Sequence, residues 1–246
     1  MTKKDINRIN VAAGLEFPHT VDELDLFNSV YKDYTFKLEQ SVIDPVKILK
    51  SVREECNVVT NVDYYKRTLL AAEIVCQLHK EATLGHVKLQ KLIYLCQKTG
   101  GMQLPTNFIR QAMGPYDNRL MRSIDKQLKE RKWFEYKKDQ LYKYQPLERA
   151  GKHHSDFLKY FPAESDSIQF IIDKFKSIKS DIVEIVATLY ACMDNMQNEK
   201  VIFSETLLIL RFYEWSDKKR KFSEKEVKRV FSRMKETGII PIGYNL

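Results

Sequence analysis

The segment from Lys88 to Phe134 constrains the fold of this chain more than any other. It opens with apolar residues at the spacing i, i+3, i+4 and i+7, which indicates one buried face of a helix. These residues are Leu89, Leu92, Ile93 and Cys96. Lys88 and Lys91, with Gln90 between them, are expected on another side of this helix. The pair Gly100-Gly101 is expected to end it, because glycine readily adopts the left-handed conformation beyond a helix C-terminus.

The remainder of this segment predicts a bend, a basic helix and the start of a hairpin. Residues 104–111 are expected to form a short strand or a helical turn, and Gly114-Pro115 to force a bend. Asp117 or Asn118 can cap a helix over residues 118–132, with Leu120, Ile124 and Leu128 on one face. Two aromatic-rich runs then predict a β-hairpin near residues 133–145. Helix, turn, basic helix and hairpin follow one another as in a winged helix-turn-helix.

Composition and periodicity predict a mostly α fold for the whole chain. Only 8 Gly and 7 Pro occur in 246 residues, and this scarcity of helix breakers favours helix. We expect a flexible N-terminal arm at residues 1–33, a helical linker at 34–60, and a helical domain with a β-wing at 61–246. The other predicted helices cover residues 61–80, 146–161, 164–177, 180–197, 204–215 and 223–237. The fold class is thus a helical domain with a winged helix-turn-helix-like β-hairpin.

Several functional classes are disfavoured by composition. No apolar run approaches the length of about eighteen residues that a membrane-spanning helix requires, and the N-terminus lacks the apolar core of a secretory signal. The four cysteines are far apart and are expected to be reduced and largely buried. Neither clustered Cys and His nor a nucleotide-binding glycine motif is present. We therefore expect a cytoplasmic protein without metal or cofactor.

The net charge of +8 is unevenly distributed. Residues 119–152 carry eleven Lys and Arg against five Asp and Glu, and residues 211–237 carry ten against five. Such basic segments favour nucleic acid or an acidic protein as partner, although a solvated lysine-rich surface accounts for them equally well. Candidate contacts to DNA phosphates are Arg119, Arg122, Lys126, Lys129, Lys132 and Lys137.

Catalytic patterns are weak. Asp125 followed by Glu135 and Lys137 is the order in which many metal-dependent nucleases hold Mg²⁺, but a metal site needs more converging oxygen ligands than these. The adjacent His153 and His154 point about 100° apart on a helix and are expected to be exposed rather than to chelate one metal. The sequence therefore predicts no catalytic residues, with a metal nuclease as the alternative.

Two segments carry a resemblance to a known family. The helix KLQKLIYL at residues 88–95, followed about twenty residues later by GPYDNRL at residues 114–120, resembles the Panacea-type antitoxin domain. It is similar to the C-terminal domain of DarG-like antitoxins, which neutralise DNA-modifying toxins. The segments PLERAGKHHSDFLKYF, IVEIVATLYA and FSEKEVKRVFSRMKETGIIP resemble a C-terminal module of type I restriction specificity subunits. Together these resemblances cover residues 60–242.

The resemblance implies a non-enzymatic interaction protein of a bacterial anti-phage defence locus, with a toxin or a restriction subunit as protein partner. A DNA-binding accessory of a type I restriction system is the alternative, and the oligomeric state stays open. The residues that the resemblance singles out for partner binding are Lys88, Gln90, Lys91, Tyr94, Gly114, Pro115, Tyr116, Asn118 and Arg119. The competing interpretation is that these residues only brace the helix junction, since turn and capping roles explain Gly, Pro, Asp and Asn without any ligand.

Overall fold

The structure is a computed structural model that describes residues 60–244. The flexible arm predicted for residues 1–33 and the linker predicted for residues 34–60, apart from Thr60, lie outside the described residues. Within the described part the fold is mostly helical with two small antiparallel hairpins, which confirms the predicted fold class. Among the described helices, none combines the length and the apolar character that crossing a bilayer requires.

Eight α-helices, two hairpins and one 3-10 helix make up residues 60–244. The first half contains α1 (Asn61–Leu78), α2 (His86–Thr99), β1 (Ile109–Gln111), β2 (Gly114–Tyr116), α3 (Leu120–Glu130), β3 (Phe134–Tyr136) and β4 (Tyr144–Pro146). The second half contains α4 (His154–Tyr160), α5 (Ser165–Phe175), α6 (Ser180–Asn198), α7 (Glu205–Glu214), the 3-10 helix Asp217–Lys221 and α8 (Glu224–Thr237).

Local sequence signals determine several helix ends. The Thr60 side chain accepts a hydrogen bond from the Asp63 backbone N–H, and the Asp63 carboxylate accepts one from the Thr60 backbone N–H. Helix α1 therefore begins with a capping box. Ser223 accepts a hydrogen bond from the Glu226 N–H at 3.2 Å and begins α8. Gly238, in the left-handed conformation at φ 70°, ends α8.

The core forms around α2 and α6, which pack against each other and against the surrounding helices. Helix α2 is buried continuously from Lys88 to Cys96, and α6 is buried from Val183 to Met193. Helices α1 and α5 cover α2, while α7 and α8 cover α6. Because α2 lies between other elements on nearly every side, its polar residues enter the interior together with its apolar ones.

The hairpins include one predicted and one unpredicted pair. Strands β3 and β4 pair antiparallel, with Phe134 opposite Pro146, which confirms the β-hairpin predicted near residues 133–145. Strands β1 and β2 also pair antiparallel, with Gln111 opposite Gly114. The expected bend at Gly114-Pro115 is therefore wrong, because these residues begin a strand and residues 112–113 make the turn. A hairpin, not a simple turn, joins the helical pair α2 and α3.

Three further details differ from the expectations or add to them. The helix predicted over residues 146–161 is confined to α4, because β4 and a series of turns take the residues before it. The 3-10 helix Asp217–Lys221 lies where the sequence predicted no element. Among the cysteines, Cys96 and Cys192 are buried as free thiols, whereas Cys76 is only half-buried.

Candidate functional site

Gly114 occupies a position that only glycine can fill without rearrangement. Its φ of +93° lies in the left-handed region, where a Cβ atom is strained. A Cβ at this position would also lie 2.6 Å from Oγ1 of Thr188 on α6 and 3.5 Å from Nζ of Lys91 on α2. Strand β2 is thus fitted closely against the two central helices, and its first residue sets the distance of approach.

Lys91 lies in the interior beneath β2. Its side chain is fully buried, and Nζ donates a hydrogen bond to the carbonyl oxygen of Pro115. The ammonium also lies 5.6 Å from the ring centroid of Tyr116. Burial, together with the nearby Lys219 ammonium, lowers the pKa of Lys91 to about 7. The sequence did not predict this burial of Lys91, which arises because this side of α2 faces the hairpin.

Gln90 holds the chain at the end of β2 in the manner of a neighbouring strand. Its amide nitrogen donates to the Asp117 carbonyl oxygen at 3.0 Å, and its amide oxygen accepts from the Asp117 N–H at 3.0 Å. The Asp117 carboxylate in turn accepts from the backbone N–H groups of Asn107 (2.7 Å), Arg119 (2.9 Å) and Leu120 (3.0 Å). Asp117, rather than Asn118, therefore caps α3.

Lys88 performs a comparable task at the other side of α2. It is fully buried, and its Nζ donates to Thr83 Oγ1 at 2.8 Å and to the carbonyl oxygens of Lys176 (2.9 Å) and Ile178 (2.7 Å) just beyond α5. Burial lowers the pKa of Lys88 to about 8. The sequence did not predict this burial of Lys88 either, which is possible because its ammonium satisfies carbonyl groups left free at the end of a helix.

Most residues singled out by the resemblance therefore face inward. Tyr94 is only 3% exposed and packs edge-on against Phe108 and Tyr190, at centroid distances of 5.2 Å and 6.1 Å. Gly114 and Pro115 are buried, and Tyr116 is half-buried. Together with Lys88, Gln90 and Lys91, these residues brace the junction between α2, the β1–β2 hairpin and α3. Only Asn118 and Arg119 are exposed enough to offer most of their surface to a partner.

A buried ion pair adjoins this junction, and no sequence pattern predicted it. Lys219 of the 3-10 helix is fully buried and donates to Glu184 Oε1 at 2.7 Å and to Thr188 Oγ1 at 2.9 Å. Lys221 reaches the same carboxylate at 3.2 Å. Burial lowers the pKa of Lys219, although the Glu184 carboxylate opposes this effect. The Thr188 hydroxyl thus accepts a hydrogen bond from Lys219 and also occupies the position that a Cβ atom on Gly114 would approach.

The exposed residues Asn118 and Arg119 line a groove of 630 Å³, which we call the signature groove. Its other principal residues are Tyr64, Arg67, Ile109 and Ser123. Arg67 is only 5% exposed and fixes one wall, because Nη1 donates to the Pro105 carbonyl at 2.8 Å and Nη2 to Ser123 Oγ at 2.7 Å. Its guanidinium also lies 4.9 Å from the Tyr64 ring centroid. Sequence reasoning missed Tyr64, Arg67 and Ile109, which come from segments distant from the motif.

The predicted DNA contacts lie along the exposed side of α3 and the hairpin that follows. Four of the six lysines and arginines form ion pairs with neighbouring carboxylates. Lys126 pairs with Glu130, Lys132 with Glu148, and both Lys129 and Lys137 with Glu135. Within residues 60–244, Arg119 and Arg122 take part in no ion pair. Among these six residues, the two without a carboxylate partner in the described part of the chain therefore lie at the start of α3.

The carboxylates of the nuclease alternative already have partners. Asp125 lies 2.8 Å from His86 Nε2 and accepts a hydrogen bond from the Tyr144 hydroxyl at 3.3 Å. Hydrogen bonds from Lys129 and Lys137 lower the pKa of Glu135. In the part of the chain that the structure describes, no group of three or more His, Cys, Asp or Glu side chains is placed to hold a metal ion. This arrangement provides no support for two-carboxylate metal chemistry.

The two adjacent histidines share one buried carboxylate. Nε2 of His153 and Nδ1 of His154 lie 3.2 Å and 3.0 Å from Glu73 Oε2. Burial by itself raises the pKa of Glu73, but the hydrogen bonds from His153, His154 and Gln77 outweigh it and lower the pKa to about 2. His154 is exposed as expected, whereas His153 is fully buried beneath Trp133. The pair therefore attaches the start of α4 to α1.

In comparisons with known proteins, the chain matches no family model, no curated protein and no solved structure. The resemblance to Panacea-type antitoxin domains consequently rests on the two sequence segments alone. The competing interpretation, a braced helix junction, agrees with the burial of most of these residues, and the exposed Asn118 and Arg119 are the part of the motif that a partner can reach.

Proposed function

We propose that this protein is a non-enzymatic interaction protein of a bacterial anti-phage defence locus that binds a partner protein at the signature groove. The partner class implied by the resemblance is a toxin or a subunit of a restriction complex. One observation carries the proposal: the groove brings exposed Tyr64 and Ile109 together with Arg119. Tyrosine and arginine dominate the binding energy of protein interfaces, particularly where they border a concave surface.

The rigidity of the groove supports this proposal. Tyr64 is 47% exposed and Ile109 is 44% exposed, so each can bury further surface on a partner. Arg67 is held by two hydrogen bonds, and Asp117 fixes the start of α3 through two more and the Asn107 backbone through a third. Such a preformed wall loses little conformational entropy on binding, which favours affinity. The buried lysines and Gln90 then serve recognition only indirectly, because they hold Asn118 and Arg119 in place.

Co-expression with the product of each adjacent gene tests the proposal. We expect one of these products to co-purify with the full chain and, where that product is a toxin, growth to be restored. Arg119→Ala and Tyr64→Ala should each weaken co-purification by about tenfold or more, as hot-spot residues do. Arg220→Ala is the matched control, since Arg220 is exposed and lies outside the groove. Binding of the partner by Arg119→Ala at full strength would contradict the assignment of the groove.

A DNA-binding accessory of a restriction system is the second candidate. It is favoured by Arg119 and Arg122, which form no ion pair within the described residues and lie at the N-terminal end of α3. A helix N-terminus and two arginines are suited to phosphate but not to reading base sequence. The expected binding is therefore weak, salt-sensitive and tolerant of sequence, and it is distinguished from the first candidate by DNA titration in the absence of any protein partner.

A further inference from the structure

A second concave surface is formed by residues between Lys174 and Ile239, which follow the residues of the signature groove in the sequence. A cleft of 420 Å³ opens between the end of α5, the first two turns of α6 and helix α8, and it shares no lining residue with the signature groove. Its floor is apolar and consists mainly of Phe175, Ile178, Ile182, Val186, Val230 and Met234. Neither Asp nor Glu is among its lining residues in the described part of the chain.

Three cations border this apolar floor. Arg229 and Arg233 lie one helical turn apart on α8, and Lys174 lies on α5. Arg233 forms an exposed ion pair with Glu236 at 3.1 Å, and the Lys174 ammonium lies 5.3 Å from the Phe170 ring centroid. Arg229 has no carboxylate partner within residues 60–244. The border therefore offers positive charge to an occupant from two different helices.

The low exposure of the floor residues limits which kinds of occupant gain from binding in the cleft. Phe175 and Val186 are each only 5% exposed and Met234 is 2% exposed, so neighbouring side chains already cover most of the floor. A broad apolar helix face would bury little additional surface there, whereas a cleft of 420 Å³ has room for a single bulky side chain. The occupant that matches this shape and charge has an isolated apolar anchor with carboxylates on both sides.

We propose that this cleft binds a short acidic segment of a partner protein. The segment inserts one bulky apolar side chain between α5 and α8, and its carboxylates pair with Arg229 and Arg233 on one wall and with Lys174 on the other. Because this cleft shares no lining residue with the signature groove, the proposal does not depend on the proposed function.

The test uses the full chain and a fluorescein-labelled synthetic peptide in which a single Phe is flanked on both sides by Glu and Asp. Fluorescence anisotropy should detect binding of this peptide but not of a matched peptide in which Lys replaces every acid. The double variant Arg229→Glu/Arg233→Glu should weaken binding by about tenfold or more, because two attractive charge pairs become repulsive. Arg220→Glu, which changes an exposed arginine outside the cleft, should bind as the unmodified chain does.

A second variant tests the apolar part of the site without altering its charge. Thr237 lines the cleft, and its hydroxyl bonds only to carbonyl oxygens of α8, so Thr237→Trp should fill the opening and abolish peptide binding. In the unmodified chain, the methyl resonances of Val186 and Val230 should shift on peptide addition. Circular dichroism melting shows whether each variant remains folded.

Four outcomes would overturn the proposal. They are absence of peptide binding to the unmodified chain, equal binding of the lysine peptide, unaltered affinity in both folded variants, and binding of dodecanoate at the Val186 and Val230 methyls without binding of the peptide. The last outcome would assign the cleft to a lipid. Failure of the proposed function would appear instead in co-purification with Arg119→Ala, so the two failures cannot be confused.

Discussion

Replacement of Gly114 by alanine tests the central claim that β2 is fitted against α2 and α6. Two separate effects contribute to the expected loss of stability. An L-residue in the left-handed region costs about 1 kcal/mol, and the new Cβ would meet Thr188 Oγ1 at 2.6 Å, which ordinary contacts never show. The shifts that accommodate such overpacking in a core cost roughly a further 2 kcal/mol. We therefore expect Gly114→Ala to lower the free energy of unfolding by about 3 kcal/mol.

Gly101→Ala is the matched control for this prediction. Gly101 has a φ of +62°, but a Cβ there would have no atom within 4 Å, so only the backbone effect of about 1 kcal/mol applies. In thermal melting, Gly114→Ala should lower the melting temperature by roughly 6–12 °C and Gly101→Ala by roughly 2–4 °C, given the size of the domain. The difference between the two variants measures the close approach alone.

A double variant identifies the atom responsible. Thr188→Ala removes the hydroxyl that Gly114→Ala would meet, although it also removes an acceptor from Lys219. If the clash is real, the two changes should be non-additive, with the double variant more stable than the sum of the single losses by about 1 kcal/mol. Equal melting temperatures for Gly114→Ala and Gly101→Ala, or strict additivity with Thr188→Ala, would refute the reasoning.

Four other predictions concern pH and nucleic acid. Because the pKa of Lys91 is lowered to about 7 in the folded chain, the unfolded chain binds this proton more strongly. The free energy of unfolding should therefore rise between about pH 7 and 10.5, and Lys91→Met should show a smaller rise in urea unfolding. The ionised Glu73 carboxylate, whose pKa is lowered to about 2, stabilises the fold above pH 4.5, and this contribution is lost as the pH falls towards 2. In urea unfolding, Glu73→Gln should therefore lose less free energy of unfolding than the unmodified chain over this pH range. Incubation of plasmid with the protein and Mg²⁺ or Mn²⁺ should give no cleavage; cleavage that disappears in Glu135→Ala would contradict this. DNA titrations should show weak binding, and replacing Arg119 or Arg122 should each reduce the slope of log affinity against log salt by about one.

The parts of the fold that follow a single periodicity or a local capping signal were predictable. Leu120, Ile124 and Leu128 are buried on one face of α3 because that helix has one buried and one solvated side. The aromatic alternation around a polar turn likewise predicted the hairpin of β3 and β4. Ser223 and Gly238 act as end signals through hydrogen bonds and backbone conformation that depend on a few neighbouring residues only.

The interior of the junction was not predictable in the same way. An apolar repeat marks the most hydrophobic face of α2, but it does not reveal that other elements cover the remaining faces as well. Lys88 and Lys91 enter the core because backbone carbonyl oxygens from distant segments satisfy their ammonium groups. The same limitation concealed Lys219, whose partner Glu184 is far away in sequence. Tyr64 and Ile109 joined the groove only through the packing of α1 and the first hairpin.

The pairing of Gln90 with Asp117 has a consequence for how another chain can approach the β1–β2 hairpin. Exposed strand edges attract further strands because their N–H and carbonyl groups are free. At Pro115 the N–H is absent and the carbonyl is bound by Lys91, while both backbone groups of Asp117 are bound by the Gln90 amide. This border of the hairpin therefore cannot accept an additional strand. Sheet extension and edge-to-edge aggregation are blocked here by side chains from a helix.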